Sequence, residues 1–205
     1  MVIDTAGGLC LDGRLALLER PRGGLVVCHP HPLYGGDMDN PVVIRAATAA
    51  QDAGLATLRF NFRGVGLSQG VHGGGEGERD DAIAAMGMIE RQLPPGRPLG
   101  LVGYSFGAWV AARVSEEDSR VRGLCLIAPP LGMFDWGFLS GGKREVLLVT
   151  GTRDSYCAVD GLERLAERLP GAQTAIVENA DHFFFGKLFP LGEALLRWVS
   201  RWAPG

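Results

Sequence analysis

The sequence predicts an α/β protein with a mostly parallel central sheet and helices on both faces. Short, continuous apolar runs, typical of strands buried on both faces, recur along the 205-residue chain. Segments with helical spacing of apolar residues separate them, and many of the 31 glycines fall in the turns between. Strands that alternate with helices indicate a parallel sheet. The length fits a single domain over residues 1–205.

The elements of the first half can be assigned in chain order. Gly54 is suited to end the first helix, which Asn40 caps and Pro41 opens. A glycine-rich stretch at 73–77 is predicted to be a flexible loop. The predicted elements are a strand or hairpin over Leu9–Glu19 with Asp12-Gly13 as its turn, a strand over Leu25–Cys28, a helix to about Ala53, a strand over Leu55–Phe62 and a helix over Asp80–Gln92.

The second half continues the alternation. A helix rich in small residues runs from Phe106 to about Ser115, and two amphipathic helices lie over 162–169 and 191–202. Strands are predicted over Leu99–Val102, Leu124–Ile127, Val146–Val149 and Thr174–Val177. In sheets of this kind the ligand site lies beyond the C-terminal ends of the strands.

Composition excludes several classes of function. The net charge is −3 and the arginines are scattered among acids, so we expect no nucleic-acid partner. No signal peptide and no bilayer-length apolar run is visible, so we expect a soluble, cytoplasmic protein without a membrane partner. Cys28 and Cys125 lie in apolar runs and are expected to be buried thiols, although an even cysteine count leaves a disulfide open. The sequence does not indicate the oligomeric state.

Residues 103–107 read Gly-Tyr-Ser-Phe-Gly and form the strongest chemical signal in the chain. The motif follows a predicted buried strand and precedes a predicted helix, which is the setting of a nucleophile elbow. Gly103 and Gly107 remove side chains that would crowd the turn, and the helix N-terminus places positive potential near a developing oxyanion. We therefore predict that Ser105 is a nucleophile.

A serine nucleophile needs a base and an acid that orients the base. His182 is the only histidine after Ser105, and it follows the last predicted strand. Asp154 follows the strand at 146–149, where a carboxylate can reach the far nitrogen of the imidazole. We predict Asp154 as the acid. Less well placed candidates are Asp135, Asp160 and Asp181.

The order Ser105, Asp154, His182 on these loops resembles the α/β-hydrolase superfamily over nearly the whole chain. The motif His-Pro-His-Pro-Leu-Tyr-Gly-Gly at 29–36, with Asp-Asn at 39–40, Phe-Asn-Phe-Arg-Gly-Val-Gly at 60–66 and Asp-His-Phe-Phe at 181–184, resembles small bacterial hydrolases of dienelactone-hydrolase-like or carboxylesterase-like type. The resemblance implies an α/β-hydrolase fold with little or no cap domain, and no cofactor.

In this fold the loop after the strand at 25–28 supplies one oxyanion N–H, and the residue after the nucleophile supplies the other. The latter is Phe106. Proline has no N–H, which removes Pro30 and Pro32. The resemblance implies His31 as the donor, because related His-Gly-x loops have their donor at this position, and Leu33 is the alternative. A metal site at His29 and His31 is a rival interpretation, but no third ligand lies nearby in sequence. We expect no metal.

The sequence therefore predicts a serine hydrolase that cleaves a small-molecule ester through an acyl-enzyme. Acyl transfer or perhydrolysis on the same three residues, and a non-catalytic binding protein on this fold, stay open as alternatives. The segment 128–144 is too short for a lid domain and forms either an apolar flap or a loop packed on the core. The natural acyl and alcohol groups are not encoded in any motif.

Overall fold

A computed structural model describes residues 1–203 of the chain. Within them the chain forms one sheet of eight strands and five α-helices. The strands are β1 (Val2–Asp4), β2 (Cys10–Ala16), β3 (Gly24–Cys28), β4 (Ala56–Phe60), β5 (Leu99–Tyr104), β6 (Val121–Ile127), β7 (Glu145–Gly151) and β8 (Gln173–Val177). The helices are α1 (Pro41–Asp52), α2 (Glu76–Glu90), α3 (Phe106–Glu117), α4 (Val159–Glu167) and α5 (Leu188–Trp202).

The strand order across the sheet is β1-β2-β4-β3-β5-β6-β7-β8. From β4 to β8 every neighbouring pair is parallel. At one edge, β2 pairs antiparallel with both of its neighbours, β1 and β4. The central strands β3 and β5 are buried at every position, which explains their unbroken apolar sequences. The mostly parallel sheet predicted from sequence is confirmed.

Two apolar cores cover the two faces of this sheet. One core joins the sheet to α2, α3 and α4, and the other joins it to α1 and α5. Alanines on the inner face of α3, such as Ala108 and Ala112, are fully buried and let this helix lie close to the strands. An α/β fold with helices on both faces is therefore confirmed, and Ser105 lies where β5 meets α3.

The predicted turn at Asp12-Gly13 is wrong. These residues lie inside β2, and its hairpin partner is β1, which the sequence did not reveal. A Cβ on Gly13 would lie 2.9 Å from the end of the Ile3 side chain and 3.3 Å from the backbone oxygen of Arg59. A glycine in a strand thus marks a close approach here rather than a turn.

The flexible loop predicted at 73–77 is wrong in part, because only residues 73–75 are non-helical. Helix α2 begins at Glu76, four residues before the predicted start. The fully buried carboxylate of Glu78 accepts the backbone N–H groups of Gly73 at 2.8 Å and Gly75 at 2.7 Å. A carboxylate in the first turn of a helix is favoured by the helix dipole, so Glu78 ties the stretch down.

The segment 128–144 packs on the body of the protein and forms no lid domain. Trp136 and Leu139 are buried in the core beside α3 and α4. Phe134 stacks on Trp109 of α3 with ring centroids 4.6 Å apart, and the Trp109 indole donates to the carbonyl of Asp135. The expectation of little or no cap is confirmed.

Two further features bear on the sequence predictions. All four cysteines are free thiols, and Cys28 and Cys125 are buried as expected. Burial raises the pKa of both thiols far above the usual range, which keeps them protonated. No helix within residues 1–203 is long and apolar enough to cross a membrane.

Candidate active site

Ser105 occupies a strained turn between β5 and α3. Its φ of 54° and ψ of −119° lie outside the common regions for a residue with a side chain. The Ser105 N–H donates to the carbonyl of Ile127 on β6 at 2.9 Å, which anchors the turn to the sheet. A Cβ on Gly103 would overlap the backbone of Gly107, and one on Gly107 would overlap the backbone of Cys28. The two glycines therefore permit the turn, as predicted.

His182 reaches the serine from the loop after β8. Its Nε2 atom lies 3.0 Å from Ser105 Oγ. The Tyr104 hydroxyl donates to the backbone carbonyl of His182 at 2.9 Å, so the residue before the serine also fixes the histidine loop. Burial raises the pKa of the Tyr104 hydroxyl, which keeps this donor protonated. Both residues lie at the carboxyl edge of the sheet.

Asp154 faces the other nitrogen of the same imidazole. Both of its carboxylate oxygens lie 3.0 Å from His182 Nδ1. Oδ1 also accepts the backbone N–H groups of Tyr156 at 2.8 Å and Cys157 at 2.9 Å, which hold the carboxylate in place. The carboxylate favours a proton on Nδ1 and leaves Nε2 bare toward Ser105. Asp154 and His182 are 6% and 8% exposed, so the arrangement is shielded from water.

The other aspartates considered from sequence do not reach the imidazole. Asp160 is exposed and pairs with Arg164, one turn further along α4. Asp135 accepts the N–H of Gly137 in its own loop. Asp181 turns its carboxylate toward the N–H groups of the residues that follow His182. The structure thus brings Ser105, His182 and Asp154 together. The three other aspartates do not contact the imidazole.

The three expected oxyanion donors differ in whether their backbone N–H groups already have a hydrogen-bond partner. The Leu33 N–H donates to His31 Nδ1 at 3.2 Å and is therefore engaged inside its own loop. Within residues 1–203, neither the Phe106 N–H nor the His31 N–H has a hydrogen-bond partner. Both residues line the same cavity as Ser105, whereas Leu33 does not.

His29 is held entirely by backbone groups. Its Nδ1 lies 2.6 Å from the carbonyl of Pro30, and its Nε2 accepts the N–H of Phe62 at 3.0 Å. Because an N–H can be met only by a bare nitrogen, the proton must lie on Nδ1. Both nitrogens are in use, so the ring has none to offer a metal beside His31. Burial lowers the pKa of His29 to about 4, which keeps the ring neutral.

A cavity of about 460 Å³ opens over Ser105. Among the described residues that line it there is no Asp, Glu, Lys or Arg. The surface is mainly apolar and aromatic, with a few polar groups, as small-molecule sites commonly are. The lining residues are Pro30, His31, Tyr34, Gly35, Gly36, Asn40, Tyr104, Ser105, Phe106, Pro130, Met133, Phe134, Tyr156, His182 and Phe183.

Several lining residues were not identified from the sequence. Asn40 was assigned as a helix cap and as part of the motif at 39–40, but not as a cavity residue, and Tyr156 carries no motif. Met133 and Phe134 come from the segment 128–144, where the crowding of aromatic residues was the available signal. Tyr104 occupies the variable position of the serine motif, so only the structure shows that it holds the His182 carbonyl.

The fold and this serine, histidine and carboxylate arrangement define an α/β serine hydrolase class, and comparisons with known proteins agree. An α/β serine hydrolase homologue from Coxiella burnetii is 32% identical, with a TM-score of 0.89 over 96% of this chain and 95% of that one. A serine hydrolase without a lid from Xanthomonas campestris is 32% identical, with a TM-score of 0.88 over 100% of this chain and 94% of that one. An uncharacterized protein of Rickettsia prowazekii is 34% identical over 195 residues, covering 90% of this chain and 82% of its own length.

The sequence profile of the family described as "Hydrolase_4: Serine aminopeptidase, S33" matches residues 20–136. That match covers more than half of the chain, so the protein belongs to this family of serine hydrolases. The matched region contains Ser105 and the loop with His31, whereas Asp154 and His182 lie beyond it.

Proposed function

We propose that the protein hydrolyses a small, uncharged ester with Ser105 as nucleophile, His182 as general base and acid, and Asp154 as the orienting carboxylate. The observation that carries this proposal is the continuous contact from Asp154 to His182 Nδ1 and from His182 Nε2 to Ser105 Oγ, at 3.0 Å in each case. These are hydrogen-bond distances for a general base and its nucleophile.

The reaction follows from this arrangement. His182 takes the Ser105 proton as Oγ attacks the ester carbonyl, and it returns the proton to the leaving alcohol. Water then attacks the acyl-enzyme with the same histidine as base. The Phe106 and His31 N–H groups, which have no partner within the described chain, are the proposed oxyanion donors. The engaged Leu33 N–H is disfavoured for this role.

The choice of an uncharged ester rests on the cavity lining. A site for the free amino terminus of a peptide needs a carboxylate to hold the ammonium, and the described lining has none. The cavity of about 460 Å³, bounded by the packed segment 128–144, suits a compact acyl group. A second candidate, aminopeptidase activity, has the family description in its favour.

Covalent labelling tests the nucleophile. A fluorophosphonate probe should modify Ser105, as located by peptide mass mapping, and Ser105→Ala should lower kcat by roughly 10⁴-fold or more. Labelling of a different serine would refute the assignment, and no labelling would favour a binding protein.

Substrate panels separate the two candidate reactions. The proposal expects turnover of short p-nitrophenyl esters and little turnover of aminoacyl p-nitroanilides, which carry the free ammonium of an aminopeptidase substrate. The reverse order would establish the peptidase. Adding methanol or peroxide as a competing nucleophile and analysing the products distinguishes hydrolysis from acyl transfer and perhydrolysis.

A further inference from the structure

The Asn40 side chain has a fixed orientation at the cavity. Asn40 caps helix α1, and its Oδ1 accepts the Val42 N–H at 2.9 Å. A backbone N–H must be met by an acceptor, so the oxygen and nitrogen of this amide cannot be exchanged. The Nδ2 group is thereby left without a hydrogen-bond partner among residues 1–203, in a residue that lines the same cavity as Ser105.

His31, on the same loop, presents a second donor. Its Nδ1 accepts the Leu33 N–H at 3.2 Å, so the proton of the neutral ring lies on Nε2. Burial lowers the pKa of His31, and the neighbouring His72 lowers it further, which favours the neutral ring. Nε2 also has no partner within the described chain. The loop between β3 and α1 therefore contributes to the cavity lining two residues that each have an uncharged donor group without a partner in the described chain.

The segment between β6 and β7 contributes apolar side chains to the cavity. Its lining residues are Pro130, Met133 and Phe134, and Phe106 packs against Phe134 with ring centroids 6.0 Å apart. These side chains offer no hydrogen bond to a ligand. A ligand that fills the cavity thus meets an apolar surface from one loop and hydrogen-bond donors from the other.

We propose that Asn40 Nδ2 donates a hydrogen bond to a substrate oxygen that is separate from the reacting ester group. The substrate class is then a neutral ester that has a compact apolar arm and an ether, carbonyl or hydroxyl oxygen in its other arm. This inference rests on the ester hydrolysis proposed above and assigns a role in substrate specificity to a side chain that also caps helix α1.

Two substitutions remove the donor and keep the cap. Aspartate and serine both cap helices about as well as asparagine, so Asn40→Asp and Asn40→Ser should leave the melting temperature of the protein nearly unchanged. Asn40→Asp replaces the amide nitrogen with a charged oxygen. Asn40→Ser shortens the side chain and adds no charge, so the pair separates the loss of a donor from the addition of a charge.

Substrates that differ only in one oxygen provide the measurement. p-Nitrophenyl methoxyacetate and p-nitrophenyl butanoate exchange an oxygen for a methylene in the acyl arm. 2-Methoxyethyl acetate and butyl acetate do the same in the alcohol arm. For each pair, kcat/KM of the oxygen-containing ester is divided by that of its partner. Comparing this ratio between variant and wild type cancels the intrinsic reactivity of the esters.

Both variants should lower the ratio about 3- to 10-fold for one of the two pairs, which is the range expected for one neutral hydrogen bond. The affected pair then identifies the arm that Asn40 contacts. If all four esters slow by the same factor, or if no ratio changes, the assigned contact is wrong. If the wild-type enzyme hydrolyses none of the four and takes no fluorophosphonate label, the proposed function falls, and this inference with it.

Discussion

The buried imidazole of His29 should make the folded protein sensitive to mild acid. The ring has a pKa of about 4 in the folded protein against 6.5 in the unfolded chain. Between these values the unfolded state binds a proton that the folded state does not, so stability rises with pH and falls as the pH drops. The sensitivity begins near pH 6.5 and is complete below pH 4. Its full size is about 3 kcal/mol, most of it reached by about pH 4.5.

Protonation of His29 should also change the structure around the ring. Protonation of Nε2 would break its bond with the Phe62 N–H, and a charged ring would be buried beside Phe62 at a centroid distance of 4.6 Å. His29 opens the loop that carries His31 and Asn40. Acid should therefore disturb the proposed oxyanion donor as well as overall stability.

The assay is urea unfolding followed across pH 7 to 4.5 for the wild type and His29→Gln. Glutamine can still accept the Phe62 N–H through its side-chain oxygen but does not titrate in this range. The wild type should lose about 2 to 3 kcal/mol more than the variant over this range. Carboxylates titrate in both proteins, so their contribution cancels. Parallel losses, or an NMR titration of the His29 ring with a midpoint near 6.5, would refute the reasoning.

Three further predictions concern the site. Asp154→Asn should lower kcat about 10⁴-fold, because the amide no longer holds the His182 tautomer. Asp160→Asn, at an exposed position, should keep a kcat near that of the wild type. Steady-state kinetics on folded variants test this, and equal effects of the two substitutions on kcat would contradict the acid assignment. Tyr104→Phe removes the hydroxyl that donates to the His182 carbonyl, so thermal unfolding should show a loss of about 1 kcal/mol in the free energy of unfolding. The variant should also show a larger change in kcat than in KM. A loss of stability without any change in kcat would show that the contact is purely structural. Along a series of p-nitrophenyl esters, kcat/KM should be highest for short acyl chains, because the cavity holds only about 460 Å³; a steady rise to long fatty acyl chains would contradict this.

The order of strands and helices could be predicted because each buried strand is a continuous apolar run with turn residues beside it. This pattern located β3, β5, β6, β7 and β8 to within a few residues. It failed at β1, a three-residue edge strand with only one buried position, Ile3. The glycine-rich stretch at 73–77 is only partly a loop, because α2 begins at Glu76. Glycine serves close packing there, since a Cβ on Gly75 would overlap the ring of Trp109. Contacts between distant segments leave no local signature in such stretches.

The candidate site, like the fold, could be predicted from the sequence only in part. Ser105 stands in a motif, and the chain order of the fold then limits the choice of histidine and aspartate. Which N–H groups are engaged depends on how the loop at 29–36 folds on itself, so the sequence left both His31 and Leu33 as donors. The cavity lining combines loops that are far apart in the chain, so only the structure shows that Asn40 and Tyr156 line the cavity.

The proposed catalytic residues follow strands that lie at very different positions in the sheet. Ser105 follows the central strand β5, whereas His182 follows β8, which ends the sheet and has only one fully buried position. The loop after β8 is joined to the loop after β7 by the bonds from the Arg153 N–H to Ala180 and from the Asn179 N–H to Thr152.

During synthesis we therefore expect Ser105 to emerge long before its proposed base, His182. Under the proposed mechanism the hydroxyl stays an ordinary alcohol until β8 has been made and has paired with β7, so a half-made polypeptide should have no hydrolase activity. On heating, separation of this one outer strand would withdraw the proposed base while the central strands stay paired. We therefore expect inactivation to precede global unfolding, and activity to return on cooling once β8 has paired with β7 again.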